Sequence, residues 1–551
     1  MEFPRVSPES VGVPSQAVLD LLDELYRYGI EMHSFMLLRH GKVFAQGHWK
    51  PYNPQTPHAM FSFTKSLTST AIGFAVQEGL LSLDDRLVDL FPDKIPEEPS
   101  ENLQKCQVRH LLMMGCGHAT EIPNLGQDDP DWIASFLHHP FVYEPGTHFL
   151  YNTAGTNLLA AILARKTGQT LTQFLKPRLF EPLGMGDVYC HALSDGTEMG
   201  GAGSYLTLDA MARFTQFVAN KGVWEGRQLL NAEWFETATS KQIENRGPGW
   251  DGDPDWHAGY GFQFWRCSKP GVFRGDGAFG QYGVVLGPQD AVVVIQSASM
   301  RLQAVLTALW DKLLPAFSDS PLPEDPHAQH RLQKRLERLE LNPKLGKRNP
   351  GAEASLHGAV YLPEGSIPGL YDLVAGGGHF SDVGGKLQRL EFHFQGDDAR
   401  LLFHQDNGTR ELRLGMTGHF EDSLIDGTVF GANGAWRAHD RLEVEIRNTR
   451  MSTGLVLTLE FTGSKLTLHS DLTIPERGGL AGAAPAPMTL ALESGEINTQ
   501  DQDVLGKLNG IFFSHRTRNE RASAALSFFC PKRKGSPAGC AHGISFLPHA
   551  L

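Results

Sequence analysis

The feature that most constrains this chain is a change of period. Between residues 351 and 475, apolar residues recur at every second position: Leu390, Phe392 and Phe394; Leu442, Val444 and Ile446; Leu455, Leu457, Leu459 and Phe461. A repeat of two places alternate side chains on one face of a strand and cannot line one face of a helix. Turn signals at Asp406-Asn407-Gly408 and Ala432-Asn433-Gly434 separate the runs. Residues 351–475 are therefore expected to form an all-β unit, a small barrel or a sandwich.

Residues 1–320 read as mixed α and β. Ser34 to Ala45 suggests two strands around a turn at His40-Gly41-Lys42. A helix is expected from Ser62, with Leu67, Ala71 and Phe74 on one face and Gly79 placed to end it. Strand-like runs return at Gly259–Arg266 and Val284–Ser297, and Leu302–Phe317 closes the region as a helix. Strands at both ends with helices between predict one sheet built from the two chain ends plus an inserted helical lobe. The expected class is α+β, an α/β sandwich. Residues 321–350 carry Pro321, Pro323 and Pro326 before a basic run, His330 to Arg348, and read as a linker with a short solvated helix. Residues 476–551 open on Gly478-Gly-Leu-Ala-Gly-Ala-Ala-Pro-Ala-Pro and read as a flexible tail that contains Lys532-Arg533-Lys534.

At 551 residues the chain is too long for one ordinary core. Its 41% hydrophobic and 20% charged residues are ordinary for a folded protein. A formal net charge of -13 argues against a general nucleic-acid binder, which needs a basic footprint. The start of the chain shows no secretory pattern, and the most apolar stretch, Ala71–Leu83, is broken by Gln77, Glu78 and Gly79. No membrane partner is expected. The six cysteines form no C-x-x-C pair, and the histidines form no metal-ligand spacing. A reduced, cytoplasmic protein without metal or cofactor is the expectation. His118, in Gly115-Cys-Gly-His, reads as an exposed loop residue near the pocket.

The chemistry centres on Phe61-Ser62-Phe63-Thr64-Lys65-Ser66, the only S-x-x-K in the chain. A spacing of three on a helix puts both side chains on one face. At a helix start, free N–H groups favour developing negative charge. A serine hydroxyl attacks only when a base takes its proton. Lys65 can be that base only if burial brings its pKa from about 10.4 to about 7, a shift equivalent to roughly 4–5 kcal/mol. Alone, the pattern also describes a serine N-cap followed by a surface lysine.

The flanking text resembles the serine β-lactamase-related family, which includes class C β-lactamases, D-alanyl-D-alanine peptidases, family VIII-type esterases and 6-aminohexanoate-dimer hydrolases. The resemblance rests, in order, on Phe61–Lys65, Glu78–Leu87, Val108–His118, Glu144–Thr153, Phe180–Met185 and Gly259–Phe262, and covers residues 1 to about 315. It implies a β-lactamase/transpeptidase-like fold with an antiparallel sheet and a helical lobe. It also implies that Tyr151 opens the second motif as shared base and acid, with a pKa depressed by Lys65 and a titration coupled to it. Where the family has Y-x-N, this chain has Tyr151-Asn152-Thr153, so either Asn152 or Thr153 fills the hydrogen-bonding role.

The third motif departs further. Lys166-Thr167-Gly168 is a decoy that ends a helix. The matching position reads Gly275-Asp276-Gly277, where the family carries K-T-G or H-x-G, and the glycines are expected to let backbone approach the substrate. Ala278 N–H with Ser62 N–H would form the oxyanion hole. Arg274 points to the opposite face if the strand alternates. The family's cation for a substrate carboxylate is thus missing. A small neutral ester fits first, an amide, D-amino-acid peptide or weakly a β-lactam second. A catalytically silent binding protein on the same fold is the rival class.

Overall fold

The computed structural model describes residues 2–122, 129–245, 253–375, 383–473 and 486–493. His40 and Gly41, with φ of 51° and 68°, form the two-residue loop between β1 (Glu31–Arg39) and β2 (Lys42–His48). Two left-handed residues in that loop match the twist of the flanking strands. β1 pairs with β6 (Ala291–Ala298), which lies some 250 residues later in the chain, with Leu37 opposite Val293 and Phe35 opposite Ile295. β5 (Gln281–Leu286), β4 (Val272–Gly277) and β3 (Trp265–Arg266) continue this antiparallel sheet in the order β2-β1-β6-β5-β4-β3.

Every residue of β5 and β6 is buried. One face sends Met36, Leu38, Val285 and Val294 into the helical lobe. The other packs Phe35, Leu37, Val284 and Ile295 against α1 (Ser15–Arg27) and α5 (Leu302–Ala308). Two covered faces explain why these strands read as unbroken apolar runs rather than alternating ones. In the lobe, α2 (Thr64–Gln77) is buried from Thr64 to Ala75 and packs on α3 (Thr153–Thr167), while α4 (Leu208–Ala219) lies across the sheet. Gly168, at φ 70°, ends α3 as a C-cap, so Lys166-Thr167-Gly168 is a helix terminus.

The C-terminal region is a nearly closed antiparallel barrel. Its strands are β7 (Val360–Pro363), β8 (Lys386–Gln395), β9 (Asp398–Gln405), β10 (Gly408–Arg413), β11 (Glu421–Ile425), β12 (Thr428–Ala438), β13 (Arg441–Asn448), β14 (Leu455–Thr462), β15 (Lys465–Leu472) and β16 (Met488–Leu492). They run β10-β9-β8-β7-β16-β15-β14-β13-β12-β11, with the short strand Ile367–Pro368 against β8. Arg413 N–H donates to Ser423 Oγ at 2.8 Å, bringing the two ends together. Leu390, Phe392, Val444, Ile446, Leu457 and Leu459 fill the interior, as their alternation requires.

Three expectations need correction here. Ala432-Asn433-Gly434 is not a turn but the middle of β12. Asn433 is buried there and donates through Nδ2 to Gly415 O at 2.7 Å, and a Cβ on Gly434 would stand 2.5 Å from Met416 Sδ. The asparagine and glycine serve barrel closure rather than chain reversal. The supposed tail contributes β16, which pairs with β15 and β7, so the barrel reaches beyond residue 475. The expected short solvated helix of 321–350 is present as α6 (Pro326–Leu336), with only Ala328 and Leu332 buried, but the segment is docked along one side rather than a free linker: α6 lies on α1, Leu332 and Leu339 join the same core, and Leu341 N–H donates to Lys50 O at 2.9 Å. Lys532-Arg533-Lys534 and Gly478–Pro485 lie outside the described residues.

The two cores meet through a buried ion cluster. Arg447 of β13 bridges Glu31 of β1 at 2.6 and 3.0 Å and Glu445 at 2.7 Å, with its side chain 4% exposed. Burial pushes the Glu31 carboxyl up, but Arg447 overrides it and holds that group below the usual carboxylate range. Arg447→Ala would leave two carboxylates facing each other without a cation. It is expected to destabilise the protein by about 3–5 kcal/mol, read as a lower denaturation midpoint at neutral pH.

Candidate active site

Ser62 sits in a 3-10 turn, Phe61–Phe63, that runs into α2. Phe61 adopts φ 47°, a left-handed conformation that costs a non-glycine residue about 1–3 kcal/mol. Phe279, in the loop between β4 and β5, does the same at φ 65°. Their rings meet edge to face, with centroids 5.1 Å apart. Each strained residue adjoins a backbone N–H that has no hydrogen-bond partner among the described residues: Ser62 follows Phe61, and Ala278 precedes Phe279. Surrounding packing holds both strained turns, which is the arrangement in which strain persists at functional sites.

Lys65 lies one turn after Ser62 and is 1% exposed. Its Nζ is 3.0 Å from Ser62 Oγ, 3.1 Å from Thr153 Oγ1 and 2.7 Å from Gly201 O. Burial lowers its pKa to about 7, and the carboxylates of Glu121 and Asp276 partly resist that fall. Near neutrality the amine is therefore often uncharged, with two N–H bonds and one lone pair. Gly201 O can only accept. One of the two hydroxyls must then donate to the lone pair, and Ser62 is placed to do so.

The second motif divides its labour. Thr153, the first residue of α3, supplies the hydroxyl to Lys65. Asn152 turns its side chain toward Cys116 and His118. It is the N-cap of α3: its Oδ1 accepts from Gly155 N–H at 3.2 Å, and its Nδ2 lies 3.2 Å from His118 Nδ1. Tyr151 stacks on Trp265 at 5.5 Å and offers its ring face to Lys65 Nζ at 4.8 Å. Burial pushes the Tyr151 hydroxyl well above its ordinary value, and a hydrogen bond with Ser62 only partly offsets this. The expected depression of Tyr151 is thus corrected: Lys65 is the group moved to neutrality, and Tyr151 keeps its proton.

The β4 motif also behaves otherwise than expected. A Cβ on Gly277 would stand 2.2 Å from Met60 O and 3.2 Å from Phe63 N, and one on Gly275 would stand 2.9 Å from the Phe63 ring. These glycines let the strand approach the Ser62 turn and so bring Ala278 beside Phe61. Asp276 turns to the opposite face and is 2.7 Å from Arg274 Nε. Burial raises its carboxyl to about 6 against the pull of Arg274. Arg274 is itself enclosed: it donates to Asp255 O at 2.9 Å and lies 4.5 Å from the Trp256 ring centroid. Its Nε and Nη1 are taken up by those partners, while Nη2 is buried with no hydrogen-bond partner among the described residues.

His118 is fully buried, 4.2 Å from the Phe141 ring centroid, rather than exposed on a loop. With Cys116 and Asn152 it forms a Cys-His-Asn cluster, but burial raises the thiol to about 11 and lowers the imidazole to about 3, so neither ionises near neutrality. Among the described residues, no group of three or more His, Cys, Asp or Glu side chains is placed to hold a metal ion. Sequence reasoning missed Gly201, Trp265 and Glu121. The run Gly200-Gly201-Ala202-Gly203 was the available signal for the first: a Cβ on Gly201 would stand 2.6 Å from Thr153 Cγ2, so only glycine brings that carbonyl to Lys65.

A family model described as Beta-lactamase matches residues 18–316. Lovastatin esterase of Penicillium rubens is 26% identical over 150 residues, 23% of this chain and 37% of its own. D-aminopeptidase of Brucella anthropi is 27% identical over 246 residues, 39% of this chain and 44% of its own. The octameric penicillin-binding protein homologue from Pyrococcus abyssi aligns with 86% of this chain and 99% of its own, at 15% identity and a TM-score of 0.44. The chain spans between 37% and 66% of the first curated relatives it matches. Asn152→Ala is expected to cost about 1–2 kcal/mol in stability through the lost cap, while Ser62 labelling by a fluorophosphonate keeps its rate. Thr153→Val is expected to slow that labelling at least about tenfold, because it removes a partner of the Lys65 amine.

Proposed function

As the chain belongs to the beta-lactamase family of serine hydrolases, we propose that it is an esterase that forms an acyl-enzyme on Ser62 from small, neutral carboxylic esters. The observation that carries this reading is the buried Lys65 amine, 3.0 Å from Ser62 Oγ and held near a pKa of 7. Ser62 Oγ attacks the ester carbonyl as its proton passes to Lys65 Nζ. The carbonyl oxygen becomes an oxyanion at the N–H groups of Ser62 and Ala278. Tyr151, kept protonated by burial beside Ser62, donates to the leaving oxygen as the ester C–O bond breaks, and the Lys65 ammonium restores that proton. Water then attacks the acyl-enzyme as Lys65 takes its proton; the acyl C–O bond to Ser62 breaks, the Lys65 ammonium returns that proton to Ser62 Oγ, and the carboxylic acid leaves.

Charge supports the preference for neutral esters. The only cation of β4 is Arg274, which is enclosed by Asp276, Asp255 and Trp256. Glu121 and Asp276 are the charged groups felt by Lys65. A substrate carboxylate would meet no solvent-exposed cation on this strand, since Arg274 is fully buried, and two acidic groups nearby. The named activities of lovastatin esterase and D-aminopeptidase both fall within acyl transfer to water; the missing cation favours the ester side.

The test is turnover of a short-chain nitrophenyl ester beside nitrocefin. Ester hydrolysis that disappears in Ser62→Ala is expected, as is a fall of about 10²–10⁴ in kcat for Tyr151→Phe. Faster hydrolysis of nitrocefin than of the ester would sink the substrate preference. The pH profile tests the base separately. An amine lowered to about 7 accepts a proton only above that pH, so kcat/KM is expected to rise through an acid limb near pH 7 and to fall about tenfold per unit below it. A limb near 10 would show that the essential base is charged at neutrality and would overturn the lowered pKa of Lys65.

A further inference from the structure

The C-terminal barrel reaches the Ser62 site through one loop. β13 and β14 are joined by Thr449-Arg450-Met451-Ser452-Thr453-Gly454. Arg450 O accepts from Ala59 N–H at 2.7 Å, three residues before Ser62. Met451 is buried in one small cluster with Ala59, Phe61, Tyr205 and Ala278. Its carbonyl accepts from Tyr52 Oη at 3.0 Å, and its sulfur lies 3.8 Å from Tyr205 Oη. Ser452 is fully buried, and its Oγ lies 3.1 Å from Gln281 Nε2. The two N–H groups of the same Nε2 are shared between Ser452 Oγ, Ala278 O at 3.2 Å and Ser297 O at 2.7 Å.

The loop thus touches both strained turns. Arg450 and Met451 hold the Ala59–Phe61 side, and Ser452, through Gln281, holds the Ala278 side. Neither turn is stable by its own backbone preference, since Phe61 and Phe279 are both left-handed. Their relative placement needs an outside template. Sub-ångström placement of donors governs how well a developing oxyanion is held.

We propose that the 449–454 loop is a positioning element of the hydrolytic site. Met451 and Ser452 set the spacing between the N–H groups of Ser62 and Ala278, so that the oxyanion pair is complete only with the barrel docked. This rests on the reading of those two N–H groups as oxyanion donors. Met451 and Ser452 do not touch the reacting atoms; they act through Phe61 and Gln281.

The full chain is assayed as Ser452→Ala, Met451→Ala and Met451→Leu, with active sites counted by fluorophosphonate titration. Ser452→Ala and Met451→Ala are each expected to lower kcat per active site about tenfold, with KM within about twofold. Inhibition by phenylboronic acid, which places an oxyanion on Ser62, is expected to weaken by the same factor. Met451→Leu, which refills the cluster, is expected to restore both. A merely structural role would lower the number of titrated sites and leave kcat per site and boronate inhibition untouched. That result, in a protein whose Ser62→Ala form is inactive, would overturn the loop's role alone. Turnover that survives Ser62→Ala would overturn the hydrolase reading and the loop's role together.

Discussion

An ammonium ion removed from water is among the costliest groups a fold can hold, and Lys65 is such a group, 1% exposed at the centre of the helical lobe. Much of the site's architecture follows from that burial. The amine needs partners that accept or exchange hydrogen bonds without fixing a full positive charge. Thr153 Oγ1, Gly201 O and Ser62 Oγ meet this need. Two hydroxyls and one carbonyl suit a neutral amine as well as a charged one, whereas a contacting carboxylate would hold the proton in place. The acidic groups that Lys65 feels, Glu121 and Asp276, temper the fall of its pKa without cancelling it.

The second constraint is steric. To bring Ala278 beside the Ser62 turn, β4 must run closer to Met60 and Phe63 than any side chain allows, and glycine at 275 and 277 removes the obstacle. The same strand geometry sends Arg274 and Asp276 to the other face, where they pair with each other. One alternation of a pleated strand therefore both completes the backbone of the site and withdraws its cation. The C-terminal barrel closes the arrangement: its Arg447 cluster anchors β1, and its 449–454 loop lies on the segment that leads into Ser62.

The sequence read most clearly where local rules and tertiary environment agree. The strand alternation of Leu390, Phe392 and Phe394, the His40-Gly41 loop, the Gly168 cap and the S-x-x-K spacing all depend on short-range geometry. It misled where one residue type serves two purposes. Asn433-Gly434 has turn composition, yet an asparagine that hydrogen-bonds across a closing barrel and a glycine against Met416 have the same composition. Asn152 resembled a substrate contact by its place beside Tyr151, but an asparagine before a helix is also a cap. His118 looked exposed because nothing local announces Phe136 and Phe141 beside it.

By itself, then, the sequence marked Ser62 as the proposed nucleophile and Lys65 one turn away, the two classes of folding unit and the family to which the first belongs. Those are properties of spacing and order along the chain. Tertiary structure alone decided that Lys65 rather than Tyr151 is brought to neutrality, that Thr153 rather than Asn152 answers it, and that the β4 glycines serve backbone approach. A pKa depends on the distance to water and to charges from distant segments, here Asp276 and Glu121. No pattern along residues 62 to 65 encodes how far those segments stand once the chain has folded.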